Sequence, residues 1–160
     1  SDQTSTNVTS AVSLLITSSG STNILQGSFS AGKQLRLRAS GIYSTGNPAA
    51  SFSFSFIING STILSGSATP TISLTDKGWN AFIDVTCRTT GGSGTAIAGG
   101  DVKFINAATA GSDITVNLSS NTTFTLDTTA DARIQFTVQQ NTATAPNMLR
   151  CQQATLELLN

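Results

Sequence analysis

Two stretches of this chain alternate apolar and polar residues almost without exception: QLRLRASGIYS at 34–44 and SFSFSFII at 51–58. A period of two residues is that of a β-strand, whose successive side chains point to opposite faces of a sheet. Phe52, Phe54 and Phe56 would then share one face, whereas helical spacing would scatter them around a cylinder. The alternation therefore predicts strands with one face buried and the other in water.

Shorter runs of the same kind, such as TISL at 71–74, recur along the chain and are separated by NG, GGSG, GG and GS sequences. Glycine accepts the positive φ angles that tight turns and bulges need. No window shows a convincing helical period, and the three prolines fall between the runs, where a missing amide breaks no sheet hydrogen bond. We predict an all-β fold of eight to ten short antiparallel strands, arranged as a sandwich or a barrel.

The length of 160 residues is that of a single domain. We expect residues 11–160 to form one continuous β-sandwich domain, because no linker composition interrupts them. Residues 1–10, SDQTSTNVTS, are polar and rich in serine and threonine. They predict an N-terminal arm that is either flexible or ordered only against a neighbouring molecule.

The chain carries few charges, and this argues against two classes of partner. Charged residues make up 10% of the sequence and the formal net charge is zero, whereas an average globular protein has about 25% charged residues. The scattered lysines and arginines form no basic stripe that could neutralise phosphates. No apolar run approaches the roughly 20 residues of a membrane span. We therefore expect neither nucleic acid nor membrane as a partner.

The inventory of side chains also argues against an enzyme. There is no histidine, so histidine-based catalytic triads and zinc sites are excluded. Asp84 and Asp101 could approach each other across neighbouring strands, as a pair of catalytic carboxylates would, but solvated or salt-bridged aspartates are the expected outcome. Asp127 and Asp131 bracket a loop that could contribute to a calcium site, although one loop supplies too few oxygens. We predict no catalytic residues, no metal and no cofactor.

The strand around the single tryptophan divides into two faces. Trp79 shares the parity of Ile83, Val85 and Cys87, which is the more apolar face, and we interpret it as closing one end of the core. The alternative is an exposed platform on which a sugar ring would stack. The predicted core residues are Trp79, Phe52, Phe54, Phe56, Ile83, Val85 and Cys87. The opposite face of the same strand carries Asn80, Phe82, Asp84, Thr86 and Arg88.

Two further predictions concern cysteines and arginines. Cys87 and Cys151 lie in no CxxC or Cys/His cluster, so we expect buried, reduced thiols in preference to a single disulfide. Alternation places Arg36 and Arg38 on one face of their strand, opposite Leu35 and Leu37. Each arginine could pair with an aspartate on the next strand, remain solvated, or lie across a subunit interface.

Four segments together resemble a domain that recurs in phage virion proteins, namely tail-fibre, head-fibre and capsid decoration proteins. Such domains have a glycine-preceded strand, a Gly-Trp strand ending in an arginine-threonine-glycine turn, a threonine-rich LDTT strand and a final strand carrying LE. The similarity extends over roughly residues 27–160. The segments are AGKQLRLRASGIYST (31–45), KGWNAFIDVTCRTTGGSGT (77–95), TFTLDTTADARIQFTVQ (123–139) and ATLELL (154–159).

The resemblance implies a jelly-roll-like sandwich that assembles as a homotrimer on the outside of a virus particle and has no enzymatic activity. The expected location is the virion surface, after synthesis in the host cytoplasm, and the expected partners are other copies of the chain and virion proteins such as the major capsid protein. The N-terminal arm would then be a capsid-docking segment, with Ser1, Asp2, Gln3 and Thr4 as candidate contacts. The alternative is a receptor-binding or carbohydrate-binding adhesion module that contacts host-surface glycan, with Trp79 or Tyr43 exposed in a free-standing sugar module.

Overall fold

The computed structural model describes residues 2–6, 9–15, 22–118 and 120–160, with the backbone alone at 120–122. Among these residues the helical structure consists of one short 3-10 turn, Thr109–Gly111, and the remainder is strands, turns and loops. None of the helical structure in the described residues is long and apolar enough to cross a membrane. The described strands are β1 (Gln3–Thr6), β2 (Val12–Ser13), β3 (Thr22–Ile24), β4 (Gln34–Ser44), β5 (Phe52–Ile58), β6 (Ser61–Ala68), β7 (Lys77–Thr89), β8 (Thr95–Phe104), β9 (Ile114–Asn117), β10 (Ser120–Thr125), β11 (Ala132–Gln140) and β12 (Met148–Leu159).

The strands form two antiparallel sheets. The large sheet has seven strands in the order β1-β12-β4-β7-β8-β10, with β9 also paired to β8. The small sheet has five strands in the order β2-β11-β5-β6, with β3 also paired to β11. Strands β9 and β10 pair with the same side of β8, and strands β2 and β3 pair with the same side of β11. One edge of each sheet is therefore built from two consecutive short strands.

The two sheets pack face to face through aromatic side chains. Phe54 of the small sheet lies 6.2 Å from Trp79 and 5.8 Å from Phe104 of the large sheet, measured between ring centroids. Tyr43 meets Phe104 edge to face at 4.9 Å, an arrangement that aromatic rings favour. The prediction of an all-β antiparallel sandwich is confirmed.

The alternation of the sequence determines which residues enter the core. In β4, Leu35, Leu37 and Ala39 are buried, while the arginines between them face solvent. The same pattern holds in β5, where the serines alternate with buried phenylalanines. All seven residues assigned to the core from the sequence are at most 1% exposed: Trp79, Phe52, Phe54, Phe56, Ile83, Val85 and Cys87.

The number of strands differs from the prediction. Twelve strands form among the described residues instead of eight to ten, because three short strands, β1 to β3, come from the polar N-terminal region. TISL at 71–74, by contrast, forms no strand. Ser73 there has φ 58°, a left-handed conformation that an extended ladder does not accommodate. The Thr45 hydroxyl accepts a hydrogen bond from the Leu74 amide instead.

The N-terminal arm also differs from the prediction. Residues 3–6, including Gln3 and Thr4, form the edge strand β1 against β12 of the same molecule, so they are not a free arm. Ser5 is fully buried, and its carbonyl oxygen accepts a hydrogen bond of 2.8 Å from the side-chain nitrogen Nε2 of Gln140. Backbone pairing therefore anchors a segment whose polar composition gave no sign of it. Asp2 is exposed, and Ser1 lies outside the described residues.

Candidate functional site

Trp79 lies in the core, where it cannot serve as a ligand platform. Its side chain is 1% exposed, and its indole Nε1 donates a hydrogen bond of 3.0 Å to the carbonyl oxygen of Arg150. Tyr43 is also fully buried and donates its hydroxyl proton to the Ile105 carbonyl oxygen at 3.0 Å. Burial raises the pKa of Tyr43 to about 12, with the charge of Asp113 as a smaller cause. Neither of the aromatic residues expected for a sugar module is accessible.

Phe82 is the exception among the aromatic residues. The chain has ten of them, all within the described residues, and nine lie in the core or pack against it. Phe82 belongs to the outward-facing set of β7 and is half-buried on the outer face of the large sheet. An aromatic ring at a position where alternation calls for a polar residue is a recognisable signal. Sequence reasoning placed Phe82 on this face without assigning it a role.

Two arginines of the adjacent strand β4 lie over the Phe82 ring. The guanidinium carbon of Arg36 is 5.2 Å from the ring centroid and that of Arg38 is 5.5 Å away, within the range of a cation–π interaction. Arg36 Nε also donates a hydrogen bond of 3.0 Å to Asp84 Oδ1 on β7. Of the interpretations of Arg36 left open by the sequence, pairing with an aspartate on the next strand is the one observed.

On the side of Phe82 away from these arginines, the outer face has a depression of about 440 Å³. It exists because Gly99, which lies opposite Asp84 in the register, carries no side chain. A Cβ atom built at Gly99 would have no atom within 4 Å. We call this depression the Phe82 groove, and its side chains come from three adjacent strands: Phe82, Asp84 and Thr86 of β7, Ile97 and Asp101 of β8, and Asn117 of β9.

A second depression, of about 390 Å³, lies on the arginine side of Phe82. Its walls include Arg38 and Ser40 of β4 and Gln153 and Thr155 of β12. Phe82 contributes to both depressions and therefore separates them. The outer face of the large sheet is thus a surface with one aromatic ridge and a hollow on each side of it.

Three of the four acidic residues considered for catalysis or metal binding have other partners. Asp101 lies opposite Phe82 and Asp84 opposite Gly99, so the two carboxylates are diagonal neighbours on one face, but Asp84 is held by Arg36. Asp127 Oδ1 accepts hydrogen bonds from the Thr129 amide and hydroxyl at 2.8 and 2.6 Å, and these bonds lower the pKa of Asp127.

Asp131 has a similar structural role. Its Oδ1 atom accepts a hydrogen bond of 2.9 Å from the backbone amide of Gln26. The two carboxylates that could have held calcium therefore cap backbone amides, as aspartates in turns commonly do. In the parts of the chain that the structure describes, no three histidine, cysteine, aspartate or glutamate side chains gather where they could hold a metal ion.

No protein-family model matches the chain, and no curated protein sequence is significantly similar to it.

Both cysteines are free thiols buried in the core. Cys151 lies level with Trp79 across β4, because both pair with Gly41. Cys87 lies eight residues further along β7 than Trp79, which is about 26 Å in an extended strand, far beyond the reach of a disulfide. Burial raises the pKa of Cys87, and it raises the pKa of Cys151 to about 11. These thiols are protonated at neutral pH and have a packing role.

Proposed function

We propose that this chain is a non-enzymatic structural protein on the exterior of a phage particle, and that it assembles there as a homotrimer, as a capsid decoration or fibre protein. The proposal begins from the resemblance of four segments to phage virion domains. The antiparallel sandwich is compatible with the jelly-roll-like fold that the resemblance implies, and jelly-roll topology belongs to the same proposal. One feature of the surface, the free edge of β12, supports assembly with other copies.

The strand β12 has twelve residues, but β1 pairs only with the first four, Met148–Cys151. From Gln152 onward, no strand among the described residues pairs with this side of β12, while β4 pairs with the other side as far as Leu159. Proteins normally cover or charge such an edge, because its unpaired amides and carbonyls invite another strand. The remaining edge carries a single charged residue, Glu157.

Apolar side chains at the same edge also lack cover. Leu156 and Leu158 have the inward parity of their partners Leu37 and Leu35 on β4. The two β4 residues are fully buried, whereas Leu156 is half-buried and Leu158 is 40% exposed. A second copy laid against this edge would bury the rest of Leu158, which is worth roughly 1 kcal/mol for each contact.

Three copies arranged head to tail around a threefold axis would protect three such edges in a closed assembly. The exterior of a phage particle, with the major capsid protein as a partner, is then the proposed location. Because residues 3–6 belong to the sheet, docking would use the N-terminal strand as part of a folded edge and not as a free arm. Asp2, which is exposed beside this edge, is the remaining candidate contact from the predicted arm.

The test is the solution mass of the purified protein, measured by light scattering at several concentrations. We expect a trimer for the natural sequence and a shift towards monomer for Leu158→Lys, because the lysine charge would have to be desolvated in the contact. Ile72→Lys is the matched control: Ile72 is 48% exposed and lies in the loop joined to Thr45 and Ala107, at the opposite end of the sandwich. It should leave the trimer intact.

A monomer at every concentration would contradict the assembly. A trimer unaffected by Leu158→Lys would place the contact on another surface. Circular dichroism of both variants would show whether the fold is retained. Location on a particle needs a separate measurement: antibodies raised against the purified trimer should label the outside of phage particles in electron micrographs, and labelling confined to bacterial cell surfaces would overturn the virion assignment.

The alternative function is a receptor-binding or carbohydrate-binding module. The aromatic residues expected to serve it, Trp79 and Tyr43, are buried, so that form of the hypothesis is wrong. Phe82 is the observation that keeps a binding role open, because it is an aromatic ring on the outer face of a sheet beside a groove lined with polar groups.

A further inference from the structure

We propose that the Phe82 groove binds a neutral oligosaccharide. The inference depends on the outer face of the large sheet alone, and it holds whether the chain is a monomer or a trimer. The groove has a volume of about 440 Å³, within the range of small-ligand sites in proteins. Its walls combine one aromatic ring with carboxylate, amide and hydroxyl groups, which is the chemistry that a sugar ring requires.

The first element of the site is a ring held in a fixed position. A sugar presents an apolar face of C–H groups that packs against an aromatic ring, and the contact is stronger when the ring does not have to be ordered on binding. Phe82 lies on the central strand β7, and the guanidinium groups of Arg36 and Arg38 lie over it. Asp84 in turn fixes Arg36 through a hydrogen bond of 3.0 Å. The ring is therefore positioned before any ligand arrives.

The second element is the space beside the ring. On the outer face of β8, Ile97 and Asp101 are separated by Gly99, and any side chain at that position would project into the groove. Gly99 has no positive φ and no close neighbour, so neither the backbone conformation nor packing requires glycine here. The consequence of having glycine at this position is that the groove is open.

The third element is the set of polar groups beside the ring. Asp101 is the cross-strand partner of Phe82 and pairs on its other side with Asn117, so the ring, a carboxylate and an amide lie in one row across β7, β8 and β9. Among the described residues, Asp101 has no ion-pair partner, whereas Asp84 and Asp113 are paired with Arg36 and Lys103. A carboxylate accepts hydrogen bonds from hydroxyls, whereas an amide both accepts hydrogen bonds from them and donates hydrogen bonds to them. Thr86 adds a hydroxyl near the open end.

The charges of the groove select against anionic ligands. Its lining contains two carboxylates and no lysine or arginine. Arg36, which lies opposite Asp84 in the register, is already engaged by Asp84 and Phe82. A phosphate, sulfate or sialic acid would meet uncompensated negative charge at Asp101. A neutral hexose or N-acetylhexosamine oligomer can pack its C–H face against the Phe82 ring and donate a hydroxyl hydrogen bond to the Asp101 carboxylate.

The test is a titration of the full chain, labelled with nitrogen-15 and followed by NMR. The probes are a panel of neutral oligosaccharides built from glucose, galactose, mannose and N-acetylhexosamines, with a heparin-derived hexasaccharide as the anionic counterpart. We expect at least one neutral probe to shift the amide signals of Phe82, Gly99 and Asp101, and the heparin fragment to leave them unchanged.

Two variants locate the site without disturbing the fold. Phe82→Leu keeps an apolar side chain beside the arginines but removes the flat ring, and it should weaken binding by about tenfold or more. Gly99→Gln fills the groove from a position where the structure has room for a side chain, and it should abolish detectable binding. Thr155→Gln is the control, because it adds similar bulk to the depression on the other side of Phe82 and should leave the affinity unchanged.

Several outcomes would overturn the inference. The first is that no neutral probe shifts these signals at about 10 mM, a concentration that detects even weak sugar binding. The second is unchanged affinity in Gly99→Gln, which would place the ligand elsewhere. The third is loss of binding in Thr155→Gln alone, which would assign it to the neighbouring depression. Because a monomer and a trimer give the same expected result, failure here is distinct from failure of the assembly proposed above.

Discussion

The two faces of strand β7 differ in burial. On the inner face every second residue from Trp79 to Cys87 is at most 4% exposed. On the outer face the alternate residues are half-buried, exposed or charged, and Phe82 lies among them. The inner face must fill a fixed volume between two sheets, whereas the outer face only has to be compatible with water and with its cross-strand neighbours. Departures from pattern on the outer face are therefore the more informative about function.

This difference predicts very unequal costs of substitution. Truncating an inner residue leaves a cavity and can strand a buried hydrogen-bonding group. Truncating an outer residue removes contacts that water can replace, so the free energy of unfolding changes little. For the two largest expected effects, a substitution on the outer face is the control for one on the inner face.

The largest expected effect is that of Trp79→Ala. The substitution removes the ring packed against Phe54 and leaves the Arg150 carbonyl oxygen without its indole donor. We expect a loss of about 3–5 kcal/mol in the free energy of unfolding, a large share of the roughly 5–15 kcal/mol that stabilises an ordinary domain. Urea denaturation followed by circular dichroism measures it. Phe82→Ala, on the outer face of the same strand, should cost about 1 kcal/mol or less. Equal losses in the two variants would refute the contrast.

A smaller effect is expected from two glycines of the large sheet. A Cβ atom at Gly41 would overlap the Arg150 carbonyl oxygen and lie 3.1 Å from the Cys151 Cα atom, so β12 would have to move. Gly41→Ala should therefore destabilise the fold by about 1–3 kcal/mol. Gly99→Ala enters open space on the outer face and should change stability by less than about 0.5 kcal/mol. Thermal unfolding of the two single variants compares them directly, and a Gly41→Ala variant as stable as Gly99→Ala would show that the β4–β12 contact is loose.

The sequence predicted the inner face well because burial and the two-residue period act together. The phenylalanines of β5 and the apolar side of β7 could be assigned to the core from alternation alone, since only a strand places such residues on one face. The presence of Phe82 on the opposite face followed from the same parity. Its neighbours did not, because contacts with β4 and β8 depend on strand order, which a single sequence does not encode.

The regions that the sequence missed are held by backbone or amide hydrogen bonds. Strand β1 has the composition of a disordered arm and is fixed by pairing with β12. Asn147 is fully buried: its Oδ1 atom accepts hydrogen bonds of 2.9 Å from the Gly46 and Ala50 amides, and its Nδ2 atom donates to the Thr144 carbonyl oxygen at 2.6 Å. Neither feature has a hydrophobic signature, so no periodicity could have indicated it.

The smallest expected effect is on the outer face itself, at the ion pair of Arg36 and Asp84. Their side chains are 26% and 31% exposed and joined by a hydrogen bond of 3.0 Å. Partly solvated pairs of this kind contribute little, and we expect a coupling free energy of about 0.5–1 kcal/mol from a double-mutant cycle of Arg36→Ala and Asp84→Ala. Raising the salt concentration to about 1 M should reduce the coupling, because it shortens the screening length to roughly 3 Å. A coupling that is large and insensitive to salt would mean that the outer face is dehydrated, as it would be if another copy of the chain covered it, and the Phe82 groove would then be closed to a ligand.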